Sequence, residues 1–191
     1  MIRVLVFDDH PALRAGLRAV LGAEPGFVLA GTAGAAEELL PLVRRSRPDV
    51  VLLDYHVPGA DGLRLCQRLK RELPPPAAVV YSAYADERLQ VPALIAGADA
   101  LVSKSVPARE LFEAILLAAR GESAIGPVAP EHVHAAMEAV GPTDAPIIAM
   151  LLDRTPPAEI GRVLGMDTAA VSRRIERIIG RLRAETPVAA S

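Results

Sequence analysis

Five short apolar runs, each followed by a helical pattern, constrain the fold of this chain more than any other feature. They read IRVLVF, FVLAGTA, DVVLLD, AAVVYS and DALVSK, and all lie within residues 1–104. Runs of this length that are rich in Val and Leu are typical of parallel strands buried on both faces. Because they alternate with helices over short connections, we predict an α/β fold with a doubly wound five-stranded parallel sheet and right-handed crossovers.

Polar side chains stand where four of these runs end. Asp8 and Asp9 follow the first run, Asp54 ends the third, Ser82 ends the fourth and Lys104 ends the fifth. Since the carboxyl ends of parallel strands lie along one edge of a sheet, we expect these side chains to converge on one crevice. Three carboxylates make a hard oxygen site for Mg²⁺, and a hydroxyl and an ammonium beside them can hold phosphoryl oxygens.

Each of these residues also has a simpler interpretation when it is taken alone. An aspartate at a strand end is commonly a helix cap or part of a solvated turn, and Asp9 precedes a helical stretch that opens with Pro11. The joint occurrence of five such residues at one predicted edge favours the phosphoryl-transfer pocket. We interpret His10 as a neighbour of this pocket rather than a ligand, and Cys66 as a small buried apolar residue.

This constellation resembles the receiver domain of bacterial two-component response regulators. The resemblance covers residues 1–120 and includes the segments FDDHP, LLDYHVPGADGL and AGADALVSK. It implies a flavodoxin-like receiver in which Asp8, Asp9 and Asp54 bind Mg²⁺ and Asp54 accepts a phosphoryl group. It further implies that Ser82 and Lys104 sense that group, and that a sensor histidine kinase donates it.

Length and composition narrow the class of protein. With 191 residues, a receiver-sized first unit leaves about 70 residues for a second, smaller domain. The single cysteine excludes an internal disulfide and fits a reducing compartment. There is no signal-peptide pattern, and no apolar run approaches the length of a membrane span. We therefore expect a cytoplasmic protein with no membrane partner.

The remainder of the chain is predicted to be helical. Residues 121–142 are rich in Gly and Pro around one helical pattern, EHVHAAMEAV, and indicate a linker with a docking helix. Residues 143–186 contain three helical patterns, DAPIIAMLLDR, TPPAEIGRVLGM and DTAAVSRRIERIIGRLRAE, and residues 187–191 form a tail. We expect Thr155 to cap the second of these helices, Gly165 to end it and Asp167 to cap the third. Two helices joined by a short turn that contains Gly form a helix-turn-helix.

One face of the last helix suits DNA. Its other face is apolar and is predicted to pack inward, and consists of Val171, Ile175, Ile178, Ile179 and Leu182. The residues predicted to contact DNA are Thr168, Ser172, Arg173, Arg174 and Arg177. Arginine reaches both phosphates and guanine edges, which makes such a helix suitable for recognition.

This segment resembles the LuxR-type helix-turn-helix of response regulators of the NarL/FixJ class, through Ile160, Leu164, Met166, Val171, Ile178 and Leu182. It is also similar to region 4 of sigma factors. Both resemblances imply promoter DNA as a partner. The sequence departs from the LuxR pattern at Ser172 and Arg174, where the family usually has Lys and His.

The resemblance implies a regulator that is phosphorylated on Asp54, dimerises when active and controls transcription, and that is not an enzyme. Two residues of the surface that normally transmits the signal are unusual. Leu101 stands where the family usually has Tyr or Phe, and Pro92 falls inside the expected fourth helix. We therefore expect that phosphorylation is retained while its structural consequence is atypical.

Two other functions stay open at this point. Residues 143–186 contain seven basic and six acidic residues, which is a weak positive balance for a DNA-binding module. This balance leaves room for a regulator that contacts RNA polymerase, a sigma factor or another regulator. An aspartyl-phosphate phosphatase on the same fold is the third alternative, because the fold alone does not determine function.

Overall fold

The chain divides into two compact units. The computed structural model describes residues 1–185, so the predicted tail at 187–191 lies outside the described residues. The first unit comprises residues 1–85 and 98–125, and the second comprises residues 86–97 and the chain from residue 126.

A five-stranded parallel sheet forms the centre of the first unit. Its strands are β1 (Ile2–Phe7), β2 (Phe27–Ala33), β3 (Val50–Asp54), β6 (Ala77–Ser82) and β7 (Ala100–Ser103), in the order β2-β1-β3-β6-β7. A short antiparallel hairpin, β4 (His56–Val57) and β5 (Ala60–Asp61), follows β3. The sheet order places β1 between β2 and β3, as a doubly wound sheet requires, and the predicted α/β fold is confirmed.

Four helices cover the two faces of this sheet. They are α1 (Pro11–Ala23), α2 (Ala36–Ser46), α3 (Gly62–Leu69) and α5 (Ala108–Ala119). Helices α1 and α5 pack over one face, where Val4, Leu52 and Val79 are buried with them. Helices α2 and α3 pack against the strands as well. Since alternate side chains of a strand point to opposite faces, covering both faces explains why these strands are almost entirely apolar.

The first residues of the predicted linker protect the open edge of the sheet. Ala124 forms a parallel bridge with Ala100 of β7, and its N–H donates to the carbonyl of Asp99 at 2.8 Å. An exposed edge strand offers unpaired backbone groups to other chains. The segment after α5 therefore completes the sheet edge before the chain enters the second unit.

Arg47, the residue directly after α2, has a strained backbone conformation because its Cβ is crowded there. Arg47 has φ 42° and ψ 64°, in the left-handed region, and its N–H donates to the carbonyl of Val43 at 2.8 Å. This conformation costs about 1–2 kcal/mol for a residue with a Cβ, and glycine avoids that cost while losing more entropy on folding. We expect Arg47→Gly to raise the free energy of unfolding by about 0.5–1 kcal/mol, measured by urea denaturation. The control Arg45→Gly, inside the same helix, is expected to lower it by about 1 kcal/mol; a destabilised Arg47→Gly protein would contradict the strain argument.

Within the described residues, the second unit contains five helices. They are α4 (Glu87–Ile95), α6 (Pro130–Val140), α7 (Ala145–Leu152), α8 (Pro157–Leu164) and α9 (Thr168–Glu185). The apolar residues predicted for the inner face of α9 are buried, together with Ile147, Ile148 and Ile160. This all-helical unit confirms the second part of the predicted fold.

Helix α4 lies in the second unit although it is encoded between two strands of the first. It packs against α6, α7 and α9. Leu89, Val91, Pro92, Ala93 and Ile95 are all buried, and consecutive positions of this kind point in several directions around a helix. The receiver domain at residues 1–120 and the linker at 121–142 stay predictions. By compactness, residues 86–97 group with the chain from residue 126, and residues 121–125 group with the sheet. The helix is intact over nine residues despite its internal proline.

The helix-turn-helix forms with one change at the start of α8. Gly165 ends α8 with φ 65°, and the Asp167 carboxylate accepts a hydrogen bond from Ala170 N at 2.6 Å, as predicted for a stop and a cap. The predicted cap at Thr155 is wrong, because α8 begins at Pro157 and Pro156 occupies the cap position. Proline at the first helical position needs no partner for a backbone N–H, so a side-chain cap has less to satisfy there.

Candidate functional site

The sheet register brings the predicted pocket residues together. Phe7 pairs with Leu53, so Asp8 and Asp54 extend side by side beyond neighbouring strands. Asp54 itself pairs with Tyr81, the residue before Ser82, and Ser82 pairs with Ser103, the residue before Lys104. The strand ends thus gather four of the five side chains in the order in which the strands are paired.

Lys104 joins two buried carboxylates at this edge. Its Nζ donates to Oδ2 of Asp8 at 2.7 Å and to Oδ2 of Asp54 at 2.8 Å. The Asp8 and Asp54 side chains are only 2% and 3% exposed, and that of Lys104 is 18% exposed. Two carboxylates share one ammonium, so the cluster keeps an excess negative charge that a cation can neutralise.

Burial and ion pairing shift the pKa values of Asp54 and Lys104. Burial raises the pKa of the Asp54 carboxyl, while its hydrogen bond from Lys104 opposes that rise. For Lys104 burial acts to lower the pKa, but the hydrogen bonds to Asp54 and Asp8 outweigh it and the pKa is raised. Lys104 therefore stays cationic at neutral pH. Desolvation of the Asp54 oxygens also removes water that would otherwise compete for them.

The donor set fits a small divalent cation. One oxygen each from Asp8, Asp9 and Asp54 and one nitrogen of His10 lie within 4.8 Å of one another. Mg²⁺ favours hard oxygen ligands and usually takes only part of its shell from carboxylates, so three aspartates suit it. His10 is largely exposed, and its Nδ1 lies 2.8 Å from an Asp9 oxygen. Its role as a neighbour of the pocket rather than a ligand stays a prediction.

Backbone groups hold the two buried aspartates in place. Asp8 Oδ1 accepts a hydrogen bond from His10 N at 2.8 Å, and Asp54 Oδ1 accepts one from His56 N at 3.2 Å. Arg14 of α1 donates to the Asp8 carbonyl at 2.6 Å. Arg14 was not predicted as part of the site, because an arginine on an amphipathic helix gives no sign that it reaches back to a strand end.

Ser82 occupies the position that the sequence predicted, at the end of β6. It is fully buried, and its Oγ accepts a hydrogen bond from Tyr84 N at 3.0 Å. Its carbonyl accepts a hydrogen bond from Lys104 N at 2.9 Å, which links the ends of β6 and β7. A small movement of Ser82 would therefore shift both the loop that follows β6 and the backbone of Lys104.

The same part of the chain matches a known family. Residues 4–116 match the response regulator receiver domain family. The chain belongs to this family.

Two curated relatives place the receiver in its wider context. The mycobacterial DNA-binding transcriptional activator DevR/DosR of Mycobacterium tuberculosis is 33% identical over 64% of this chain and 57% of its own length. The nitrate/nitrite response regulator protein NarL of Escherichia coli K12 is 26% identical over 98% of this chain and 92% of its own. The chain thus matches somewhat less than three fifths of DevR/DosR, and its match to NarL extends through both units.

A solved structure shows the same architecture. The two-component response regulator of the LuxR family from Aurantimonas sp. SI85-9A1 superposes with a TM-score of 0.63 at 27% identity. It covers 71% of this chain and 96% of that one. The fold of about seven tenths of this chain is therefore similar to that of a LuxR-family regulator.

The predicted DNA contacts on α9 have different environments. Thr168, Arg173 and Arg177 are exposed, and Ser172 is half-buried. The Arg174 side chain is only 24% exposed, and its Nε lies 3.3 Å from an Asp144 oxygen. The structure thus leaves two of the three predicted arginines open to solvent and turns the third toward a carboxylate.

The two residues predicted to make signalling atypical lie in different units. Leu101 of β7 is half-buried and lines an open groove of about 430 Å³ with Val106 and Leu117. Pro92 of α4 is buried and lines a cavity of about 220 Å³ with His132 of α6. Their role in signalling stays a prediction.

Within the described part of the chain, no helix is both long and apolar enough to cross a membrane.

Proposed function

We propose that this protein is a two-component response regulator that is phosphorylated on Asp54 and controls transcription through DNA binding by its second unit. The donor is a sensor histidine kinase, and Asp8, Asp9 and Asp54 hold Mg²⁺. The observation that carries the proposal is the Lys104 ammonium, which lies 2.7 Å from Asp8 and 2.8 Å from Asp54. Because this protein acts on DNA in the proposal, we also propose that it is cytoplasmic.

The geometry supports phosphoryl transfer to Asp54. One Asp54 oxygen attacks phosphorus while the bond from phosphorus to the donor nitrogen of phosphohistidine, or to the acetate oxygen of acetyl phosphate, breaks. The leaving group departs with the electron pair of that bond. Bound Mg²⁺ would neutralise charge on the phosphoryl oxygens and carboxylates. Lys104 keeps its proton, as its raised pKa requires, and supplies a hydrogen bond to a phosphoryl oxygen.

Phosphorylation of Asp54 would change the contacts of Lys104 and, through the backbone, of Ser82. A new dianion on Asp54 competes for the ammonium that now joins Asp54 to Asp8. Lys104 is tied to Ser82 through the backbone, and Ser82 precedes the segment that enters α4 at Glu87. Since α4 belongs to the helical unit, the chain itself connects the phosphorylation site to that unit.

Exposed cations of α9 support the DNA-binding part. Arg173 and Arg177 are four residues apart and share one side of the helix. One domain with so few cations binds duplex DNA weakly. A homodimer would double the phosphate contacts and place two recognition helices about one helical turn apart on the DNA.

A protein target is the second candidate function. The arrangement of Arg174 toward Asp144 leaves fewer free cations on α9 than the sequence suggested. This favours a regulator that contacts RNA polymerase, a sigma factor or another regulator. If the logarithm of the DNA affinity falls linearly with the logarithm of the salt concentration, the second unit binds DNA phosphates and DNA is the favoured target.

Labelling with acetyl phosphate and Mg²⁺ tests the proposal. We expect one phosphoryl group per chain on the wild-type protein, seen as an 80 Da increase in intact mass, and none on Asp54→Asn. Hydroxylamine should displace phosphate from this acyl phosphate and leave a hydroxamate on Asp54. The matched control is Asp49→Asn, immediately before β3 and at the end opposite Asp54, where the carboxylate accepts a hydrogen bond from Arg3 N. Labelling of Asp49→Asn should resemble that of the wild type.

The same samples separate the two candidate functions. Tighter duplex binding and a dimer in light scattering after phosphorylation are expected. Equal labelling of wild-type and Asp54→Asn proteins would refute the phosphoacceptor, and labelled protein without salt-dependent DNA binding would favour a protein target.

A further inference from the structure

Asp144 is a buried carboxylate that the proposed function does not use. It stands immediately before α7, yet within that described helix its side chain makes no capping hydrogen bond. The side chain is only 5% exposed. A carboxylate removed from water in this way needs cationic or hydrogen-bonding partners, so its neighbours indicate what it does.

Its partners are two arginines of α9. Arg174 Nε lies 3.3 Å from Asp144 Oδ1, and Arg181 Nη1 lies 4.0 Å from Oδ2. Arg181 also donates to the carbonyl of Val140, the last residue of α6, at 2.8 Å. Arg174 Nη1 reaches Met166 Sδ at 3.7 Å. The Arg174 guanidinium is thus largely buried in an ion pair with Asp144 that includes no hydrogen bond to Oδ1. The Arg181 side chain is 48% exposed, and its hydrogen bond to Val140 and its ion pair with Asp144 join α9 to the junction of α6 and α7.

Four of the five arginines of α9 fall into two sets by their partners: within the described residues Arg174 and Arg181 have an ion-pair partner, and the other two have none. At about 100° per residue, Arg174 and Arg181 lie about 20° apart, on the border of the buried face. Arg173 points almost directly away from that face, and Arg177 lies between. Among residues 1–185, neither Arg173 nor Arg177 forms an ion pair, and both are exposed.

We propose that Asp144 is a positioning residue that withholds Arg174 and Arg181 from DNA and leaves Arg173 and Arg177 to contact the phosphates. This inference deepens the proposed DNA-binding function and rests on it. It removes Arg174 from the DNA contacts predicted from the sequence. The ion pairs both set the orientation of α9 and limit the number of cations that can bind nucleic acid without regard to its sequence.

Salt dependence on duplex DNA distinguishes the two sets. Each phosphate contact contributes about 0.9 to the slope of log affinity against log salt concentration. The neighbouring variants Arg173→Gln and Arg174→Gln are matched, since they differ only by one position on the same helix. We expect Arg173→Gln to reduce the slope by about 0.9 and Arg174→Gln to leave it unchanged. Arg174→Gln leaves the buried Asp144 carboxylate with one partner fewer. The double variant Asp144→Asn/Arg174→Gln removes both charges and serves as a second test. Thermal unfolding shows that each variant is folded.

Removing the carboxylate should release the arginines. In Asp144→Asn we expect the slope to increase in magnitude by about 0.9 for each arginine that reaches a phosphate. Asp144→Glu, which restores the charge, should return the slope toward the wild-type value. A loss of packing alone would not increase the slope, so this readout separates positioning from stability.

Chemical modification of arginine tests the ion pairs without DNA. With phenylglyoxal and peptide mass analysis of the full chain, we expect Arg174 to react at least several-fold more slowly than Arg173 in the wild type. In Asp144→Asn the two rates should become similar. Equal rates in the wild type, or equal loss of slope in Arg173→Gln and Arg174→Gln, would overturn the inference. Absence of salt-dependent DNA binding in the wild-type protein would refute the proposed function and the DNA part of the inference, while slow modification of Arg174 would still support the ion pairs.

Discussion

Replacing Gly62 with alanine is expected to lower the free energy of unfolding by about 3 kcal/mol and to abolish phosphorylation of Asp54 by acetyl phosphate. A Cβ on this residue would lie 2.5 Å from the Asp54 carbonyl oxygen and 2.7 Å from both Cα and the carbonyl oxygen of Tyr55. All three are backbone atoms, so no side-chain rotation relieves the overlap. Either α3 or the end of β3 has to move, and β3 ends at Asp54, the proposed phosphoacceptor.

Urea denaturation and mass-based labelling measure the two consequences. Gly16→Ala is the matched control, because that glycine lies inside α1 and, apart from the neighbouring backbone of α1, no atom of the described residues lies within 4 Å of its added Cβ. It should be neutral or stabilise the protein by up to about 1 kcal/mol through helix propensity, with normal labelling. A Gly62→Ala protein as stable and as readily labelled as the wild type would show that the approach of α3 to β3 is not needed.

The pocket could be predicted from the sequence because its residues are fixed by strand ends. A parallel strand of Val and Leu shows its length in the sequence, and the residue at its end reaches the edge where ligands bind. Asp8, Asp54 and Lys104 are brought together in this way, although they are up to 96 residues apart in the chain. No side-chain detail was needed for that prediction.

Contacts that depend on three-dimensional packing could not be predicted in this way. The helical period identifies the apolar side of α9, but Arg174 lies on its border, where the period does not decide between solvent and a partner. The partner, Asp144, is 30 residues earlier and looks like an ordinary residue before a helix. Similarly, α4 has the length and position of a receiver helix, and only the packing of its several apolar sides reveals its membership in the second unit.

The second large effect is expected in the helix-turn-helix. A Cβ on Gly161 would lie 2.6 Å from the Met166 carbonyl oxygen, which is a backbone atom, and 3.6 Å from Cγ2 of Val171. The Met166 N–H donates to the Gly161 carbonyl at 2.8 Å, so the turn is closed tightly over this glycine. We expect Gly161→Ala to lower the stability of the helical unit by about 2–3 kcal/mol and to weaken DNA binding at least about tenfold, because α9 would be displaced from α8.

Measurements on the full chain show which of the two units each substitution disturbs. Because the receiver residues lie in the other unit, phosphorylation of Asp54 should be unchanged in Gly161→Ala, whereas Gly62→Ala should lose it. Gly126→Ala is the control within the helical unit, since among the described residues beyond its chain neighbours its Cβ would meet a side-chain nitrogen of Gln90, at an ordinary 3.7 Å. Hydrogen exchange would show early opening of α8 and α9 in Gly161→Ala only. Unchanged DNA affinity in a folded Gly161→Ala protein would mean that the spacing of α8 and α9 does not set the recognition surface, and that the protein target becomes the better-supported function.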